Sequence, residues 1–201
     1  MRSAIILAGG KSKRLGVDKA FVKLCNKELL RWCIEGLSNI EEIIISMKNN
    51  MYHDKILSWN NKVRIVYDSL DLESPLVGIY SSLPYINSKY VYIHPVDSPF
   101  IINEIVGYLF DNAEGFDAAI IKHNSFIEPL HAVYNKDNLS HAVNKAIYTD
   151  DLSVYGLAKE LNVNYIDINE IKRFDRNLDF LININREEDL KNAGRIARYY
   201  Q

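Results

Sequence analysis

The densest chemistry in this 201-residue chain lies between positions 7 and 27. Leu7-Ala8-Gly9-Gly10-Lys11-Ser12-Lys13-Arg14-Leu15-Gly16-Val17-Asp18-Lys19 opens on paired glycines. Six basic residues (Lys11, Lys13, Arg14, Lys19, Lys23, Lys27) fall between positions 11 and 27, with Asp18 the only acid. The chain-wide frequency would place about two there. Adjacent glycines let backbone N–H groups approach an anion closely, and clustered cations neutralise several negative charges at once. A triphosphate suits that arrangement; a solvated basic loop around a glycine turn also accounts for the composition. Two commoner nucleotide loops are excluded. A Walker A loop ending in Gly10-Lys11-Ser12 requires glycine where Ile5 stands, and Gly9 and Gly10 are adjacent rather than spaced as in G-x-G-x-x-G.

A second group of residues centres on Val96-Asp97-Ser98-Pro99-Phe100, just after the apolar run Tyr90–His94. A carboxylate at a strand end lies on the ligand edge of an open α/β sheet. There it can hold Mg²⁺ together with water and phosphate oxygens, or cap a following proline-led helix. Asp68, in Tyr67-Asp68-Ser69-Leu70, reads as a turn residue at another strand end. The five histidines show no metal-ligand spacing, and His94 and His131 read as core or supporting residues. Cys25 and Cys33 lack a C-x-x-C partner and, with leucines close by in the sequence, read as small core residues.

These groups need a scaffold, and the apolar pattern supplies one. Strand-length runs occur at Ala4–Ala8, Glu42–Ser46, Val63–Tyr67, Tyr90–His94, Ala118–Lys122, Leu130–Tyr134 and Phe180–Ile184. Continuous β-branched runs such as Ile43-Ile44-Ile45 suit strands buried on both faces. Helical spacing recurs through Leu29, Leu30, Cys33, Ile34 and Leu37, and over Ile102–Phe110 and Asn135–Ile147. A last helix follows Asn185, read as its N-cap with Glu188 three residues on, and buries Leu190, Ala193, Ala197 and Tyr200. The expectation is an α/β protein, one domain over residues 1–201, with helices on both sheet faces.

With these elements in place, L-A-G-G-x-S-x-R-hydrophobic-G-x-D-K over Leu7–Lys19 resembles the signature of nucleotidyltransferases with a glycosyltransferase-A-like fold. Within them it is most similar to the molybdenum cofactor guanylyltransferases. Five further segments match in order: Asp68-Ser69-Leu70; Ser74-Pro75-Leu76-Val77-Gly78, like the family's proline-leucine-x-glycine turn; Asp97-Ser98-Pro99, like its metal motif; Glu128-Pro129-Leu130; and Asn183-Ile184-Asn185. The resemblance implies a three-layer α/β/α sandwich with a mostly parallel open sheet, a Rossmann-like nucleotide-diphospho-sugar transferase fold. It implies transfer of GMP from GTP to the phosphate of molybdenum-molybdopterin. Lys19, Asp97 and Arg14 would be catalytic, and Asp97 would hold Mg²⁺. The nucleotide would contact Leu7, Ala8, Gly9, Gly10, Lys11, Lys19, Ser46, Asp68, Gly78 and Asp97, and Asn183 and Asn185 would lie near the acceptor.

The sequence departs from the family at two places: Ser46 stands where an asparagine is common, and Arg186-Glu187 where threonine-proline is usual. Other readings are a CTP- or GTP-dependent transferase acting on a cobinamide, isoprenoid, sugar or lactate phosphate, and a non-catalytic nucleotide-binding adaptor. Net charge is −2 with a pI near 6.2, so bulk attraction to nucleic acid or membrane is not expected. No membrane span or signal-peptide pattern occurs at the N-terminus, which reads as cytoplasmic. Expected partners are GTP and the molybdopterin cofactor, with cofactor-handover proteins besides.

Overall fold

The structure, a computed structural model, describes residues 1–9, 18–48, 52–60 and 62–200. Among these, one seven-stranded sheet organises the chain. Its strands are β1 (Ser3–Leu7), β4 (Glu42–Met47), β5 (Val63–Tyr67), β6 (Tyr90–Pro95), β7 (Ala118–His123), β8 (Phe126–Asn135) and β9 (Val163–Asp167), in the order β5-β4-β1-β6-β8-β7-β9. Only β8 runs against the others. A small hairpin, β2 (Lys23–Leu24) with β3 (Lys27–Glu28), lies outside the sheet.

The burial pattern explains the layering. Along β1, Ala4 and Ile6 face one core and Ile5 the other; along β4, Ile43 and Ile45 oppose Ile44 in the same way. Strands apolar on both sides must be covered on both. Helices α1 (Leu29–Gly36), α4 (Asn103–Ala113) and α7 (Ile168–Ile171) cover the first face. The second is covered by α3 (Pro75–Ser82), α5 (Lys136–Tyr148) and α6 (Val154–Glu160). The remaining helices are α2 (His53–Leu57) and α8 (Glu187–Ile196); α8 packs Ala193 against Trp32 and Phe100 in a third cluster. The expected three-layer, mostly parallel α/β architecture is what the chain adopts.

Several local expectations need correction. Phe180–Ile184 is not a strand: residues 179–181 form a 3-10 turn, and the sheet instead recruits β9. Asn185 does not cap α8. Arg186 holds the N-cap position, and the Asp189 carboxylate accepts from the backbone N–H groups of Asn185 and Arg186 at 2.9 and 2.8 Å. Cys25 is exposed at the tip of the hairpin with φ 50°, whereas Cys33 is buried. β8 begins four residues earlier than its apolar run, with Pro129 absorbed by a bulge: Ile120 pairs with Ala132 while Ile121 pairs with Glu128. Residues 129–131 therefore have no partner on β7. A proline, which cannot donate to the ladder, suits that break.

The order β5-β4-β1-β6 reverses direction between β1 and β6, so a crevice opens beyond their carboxyl ends. The crevice depends on a close approach by α3. Ser74 caps this helix by accepting from the Leu76 N–H, and Pro75 opens it. At Gly78 a Cβ would lie 2.5 Å from Ser46 Oγ and 2.9 Å from Leu7 Cδ2. Only glycine lets the helix seat this near β1 and β4. Gly78→Ala is expected to destabilise the protein by about 1–3 kcal/mol through overpacking, read as a lower midpoint in urea denaturation.

Candidate nucleotide-binding site

Backbone bonds fix the floor of the crevice. The Val96 N–H donates to Leu7 O at 3.1 Å, Ala8 N–H to Ser46 O at 2.9 Å, and Asp68 N–H to Met47 O at 2.9 Å. The ends of β1, β4, β5 and β6 are thus tied edge to edge. Above them lies a cavity of about 540 Å³. Leu7, Gly9, Lys19 and Ser46 line it, as do Asp68, Gly78, Asp97 and Asn183. Residues brought from seven separate stretches of chain meet there. Of the other candidates, Ala8 is buried and contributes its amide to the floor. Gly10, Lys11 and Arg14 lie outside the described residues.

At the centre, Lys19 Nζ donates to Asp97 Oδ2 and to Asn185 Oδ1, both at 2.7 Å. The lysine is aimed by the 3-10 turn that carries it. Asp18 accepts from the Ala20 N–H at 3.1 Å, and burial raises the Asp18 pKa despite that bond. The aspartate is aimed by the segment leading to α8: the Ile184 N–H donates to Asp97 O at 2.8 Å, and Ser98 Oγ donates to Asn183 Oδ1 at 2.8 Å. The side chains of Lys19 and Asp97 are only 15% and 19% exposed. A pair this sheltered feels less solvent screening than a surface ion pair, so an approaching anion meets a directed ammonium.

Toward β5, Ser46 Oγ donates to Asp68 Oδ1 at 2.7 Å. Burial raises the Asp68 pKa, opposed by this bond and by the charge of Lys48. The aspartate reaches over Gly9, where a Cβ would sit 3.0 Å from Asp68 Oδ2 and 3.3 Å from Lys48 Cγ. Sequence reasoning missed Lys48, which lines the cavity. At the other end, the β8 bulge brings Glu128, Leu130 and His131 into the wall, joined by Tyr155 of α6. Glu128-Pro129-Leu130 was legible only as a matching segment, without a role.

His131 in that wall and His94 behind it are both buried, their rings edge to face at 5.4 Å. His94 is anchored to Ser98 O at 2.7 Å and to the Tyr92 hydroxyl at 3.2 Å. Burial lowers its pKa to about 4 and lowers that of His131 well below the ordinary value.

Glycine at the close approach, a cation–carboxylate pair across the strand-order reversal and a cavity continuous with both describe a nucleotidyltransferase. A family model, the MobA-like NTP transferase domain, matches residues 4–154, and the chain belongs to that family. It is 36% identical over 200 residues to a probable molybdenum cofactor guanylyltransferase of Methanosarcina mazei, covering 95% of this chain and 89% of that one. A molybdenum cofactor guanylyltransferase of Syntrophotalea carbinolica is 30% identical, with 94% and 89% covered. The crystal structure of molybdopterin-guanine dinucleotide biosynthesis protein A from Archaeoglobus fulgidus superposes with a TM-score of 0.85 at 28% identity, covering 99% of this chain and all of that one.

The two histidines give a pH signature. Unfolded imidazoles take up protons near pH 6.5, folded ones only far below it. The contribution of His94 is therefore complete above about pH 6.5 and is lost as pH falls toward 4, and that of His131 is lost in the same direction. For His94 alone the loss at pH 5 is on the order of 2 kcal/mol. Urea denaturation at pH 7 and pH 5 should show the drop, and His131→Phe, which removes one imidazole and no hydrogen bond, should shrink it.

Proposed function

We propose that the chain transfers GMP from GTP to the terminal phosphate of molybdenum-molybdopterin, forming the guanine dinucleotide cofactor and pyrophosphate. The single observation that carries this reading is the Lys19–Asp97–Asn185 contact at the centre of a cavity that also holds Gly9 and Asp68. The names carried by relatives at 30–36% identity over nearly the whole chain support the base and the acceptor.

An oxygen of the acceptor phosphate attacks the α-phosphorus of GTP. The bond from that phosphorus to the bridging oxygen breaks, and pyrophosphate leaves with the electron pair. A phosphate monoester has its second pKa near about 6 and is largely ionised at neutral pH, so no strong general base is required. The task is neutralisation of charge and in-line alignment. Lys19 binds the phosphates, handed over from Asp97 or shared with it. Gly9, with Leu7 and Ala8, offers backbone at the β1 end, and the reading adds Gly10, Lys11 and Arg14 from the same loop. Asp68 and Ser46 contact the nucleoside beside Gly78; Asn183 and Asn185 contact the acceptor.

Nucleotidyltransferases of this kind typically use a divalent metal. The described residues contain no cluster of three or more His, Cys, Asp or Glu side chains suited to a metal ion. A lone carboxylate in a phosphate-binding cleft fits Mg²⁺, which completes its shell with phosphate oxygens and water. Asp97 would hold it, and when bound it supplies positive charge to the triphosphate. No described helix is long and apolar enough to cross a membrane. The same reading takes the chain as one nucleotidyltransferase domain working in the cytoplasm, with cofactor-handover proteins as partners.

Lys19→Ala and Asp97→Ala, each checked for folding by circular dichroism, are expected to lose on the order of 10²–10³ in turnover. The readout is pyrophosphate release with GTP and molybdenum-loaded pterin. Rates close to wild type in both variants would overturn the assignment.

A further inference from the structure

The wall farthest from Asp68 contains two polar groups that nothing described so far employs. Glu128 lines the cavity with its side chain 36% exposed. Burial raises its pKa and the charge of His123 opposes this; no hydrogen bond contributes. His131 is 2% exposed, and neither of its ring nitrogens has a partner among the described residues. His131 Nδ1 lies 3.9 Å from Glu128 Oε2, beyond hydrogen-bond reach, and the ring is boxed edge-on by His94 and by Phe180 at 6.0 Å. A half-buried carboxylate and, beside it, a buried imidazole with no partner of its own make a costly arrangement. The bulge puts them there, since residues 129–131 leave the ladder between the Glu128 and Ala132 pairings.

Position along the sheet edge says which ligand they face. Asp68 follows β5, Ser46 ends β4, Gly9 follows β1, Asp97 follows β6, and Glu128 lies on β8. If the nucleoside occupies the Asp68 end and the phosphates the Lys19 centre, the acceptor occupies the Glu128 end. Leu130, Val154 and Tyr155 line that end with apolar surface, Tyr155 being 54% exposed.

We infer that Glu128 determines acceptor specificity by accepting hydrogen bonds from adjacent N–H donors on a fused aminopyrimidinone ring. The inference rests on the pterin acceptor proposed above. The 2-amino group and the neighbouring ring N–H of a pterin form a donor–donor edge, the complement of a carboxylate. A sugar, isoprenoid or lactate phosphate has no such edge. Glu128 also repels a second anion, which directs the acceptor's phosphate toward Lys19 and its ring toward β8. His131 is the positioning residue. Being neutral, it does not tie up the carboxylate as a cation would. Donation of a ring N–H to one Glu128 oxygen, as contacts tighten around the ligand, turns the other toward the cleft.

The test is steady-state kinetics of the full chain with GTP, Mg²⁺ and molybdenum-loaded pterin, with GTP affinity measured separately without acceptor. Glu128→Gln sets an amide donor against the ligand's donors. The acceptor KM should rise by about 10-fold or more, because a polar mismatch in a site built for hydrogen bonding is rejected strongly. GTP affinity should not change, and the loss should fall on KM rather than kcat. His131→Phe should raise the acceptor KM by a smaller factor. If Glu128→Gln fails to bind GTP, Glu128→Ala, which removes the acceptor oxygens altogether, is read the same way. Wild-type turnover with an unaltered acceptor KM in the Glu128 variant overturns this inference and leaves the proposed function standing. Absence of guanylyl transfer to the pterin by the wild type overturns both.

Discussion

Lys19 and Asp97 are 78 residues apart in sequence and 2.7 Å apart in space. Their contact spans the junction between the turn after β1 and the end of β6, where the sheet reverses its order of growth. Asn185, from the far end of the chain, closes the same contact. Removing either charge would leave the other sheltered and uncompensated, a costly state for a pair with little solvent around it. A polyphosphate offers the ammonium an alternative partner, so ligand binding and release of Asp97 are coupled by simple competition for one cation.

The rest of the cavity is graded around that centre. Toward β5 the wall is compact and polar: a serine hydroxyl on a raised-pKa aspartate, a glycine that leaves room for it, and Lys48 alongside. Toward β8 the wall is a bulged strand backed by buried, uncharged histidines and fronted by apolar side chains. One end suits a nucleoside edge and the other a flat second substrate, with the cation between them. The bulge is central to the second end. A regular β8 would keep residues 129–131 in the ladder instead of in the cavity.

Much of this architecture was legible in the sequence because parallel strands buried on both faces leave continuous apolar runs, as in Ile43-Ile44-Ile45. β9 escaped notice because Val163-Asn164-Tyr165-Ile166-Asp167 is an edge segment with polar residues interleaved. Phe180–Ile184 misled because an apolar run of that length also serves a 3-10 turn whose Phe180 and Ile184 anchor separate clusters. Asn185 had the residue type of a cap, yet Asp189 supplies the capping acceptor and leaves the amide oxygen to Lys19. Lys48 and Tyr155 carried no local signal at all, and His131 was legible only as a core or supporting residue. Their place in the cavity follows from strand order and from the bulge, which are long-range properties.

The most direct test of the central contact is calorimetric titration of GTP with and without Mg²⁺ into the wild type, Asp97→Asn and Lys19→Met. If Lys19 and Asp97 serve one bound triphosphate, Mg²⁺ should tighten binding to the wild type and to Lys19→Met but not to Asp97→Asn, and Lys19→Met should bind more weakly than wild type under both conditions. An equal Mg²⁺ enhancement in Asp97→Asn, together with unchanged affinity in Lys19→Met, would contradict the account.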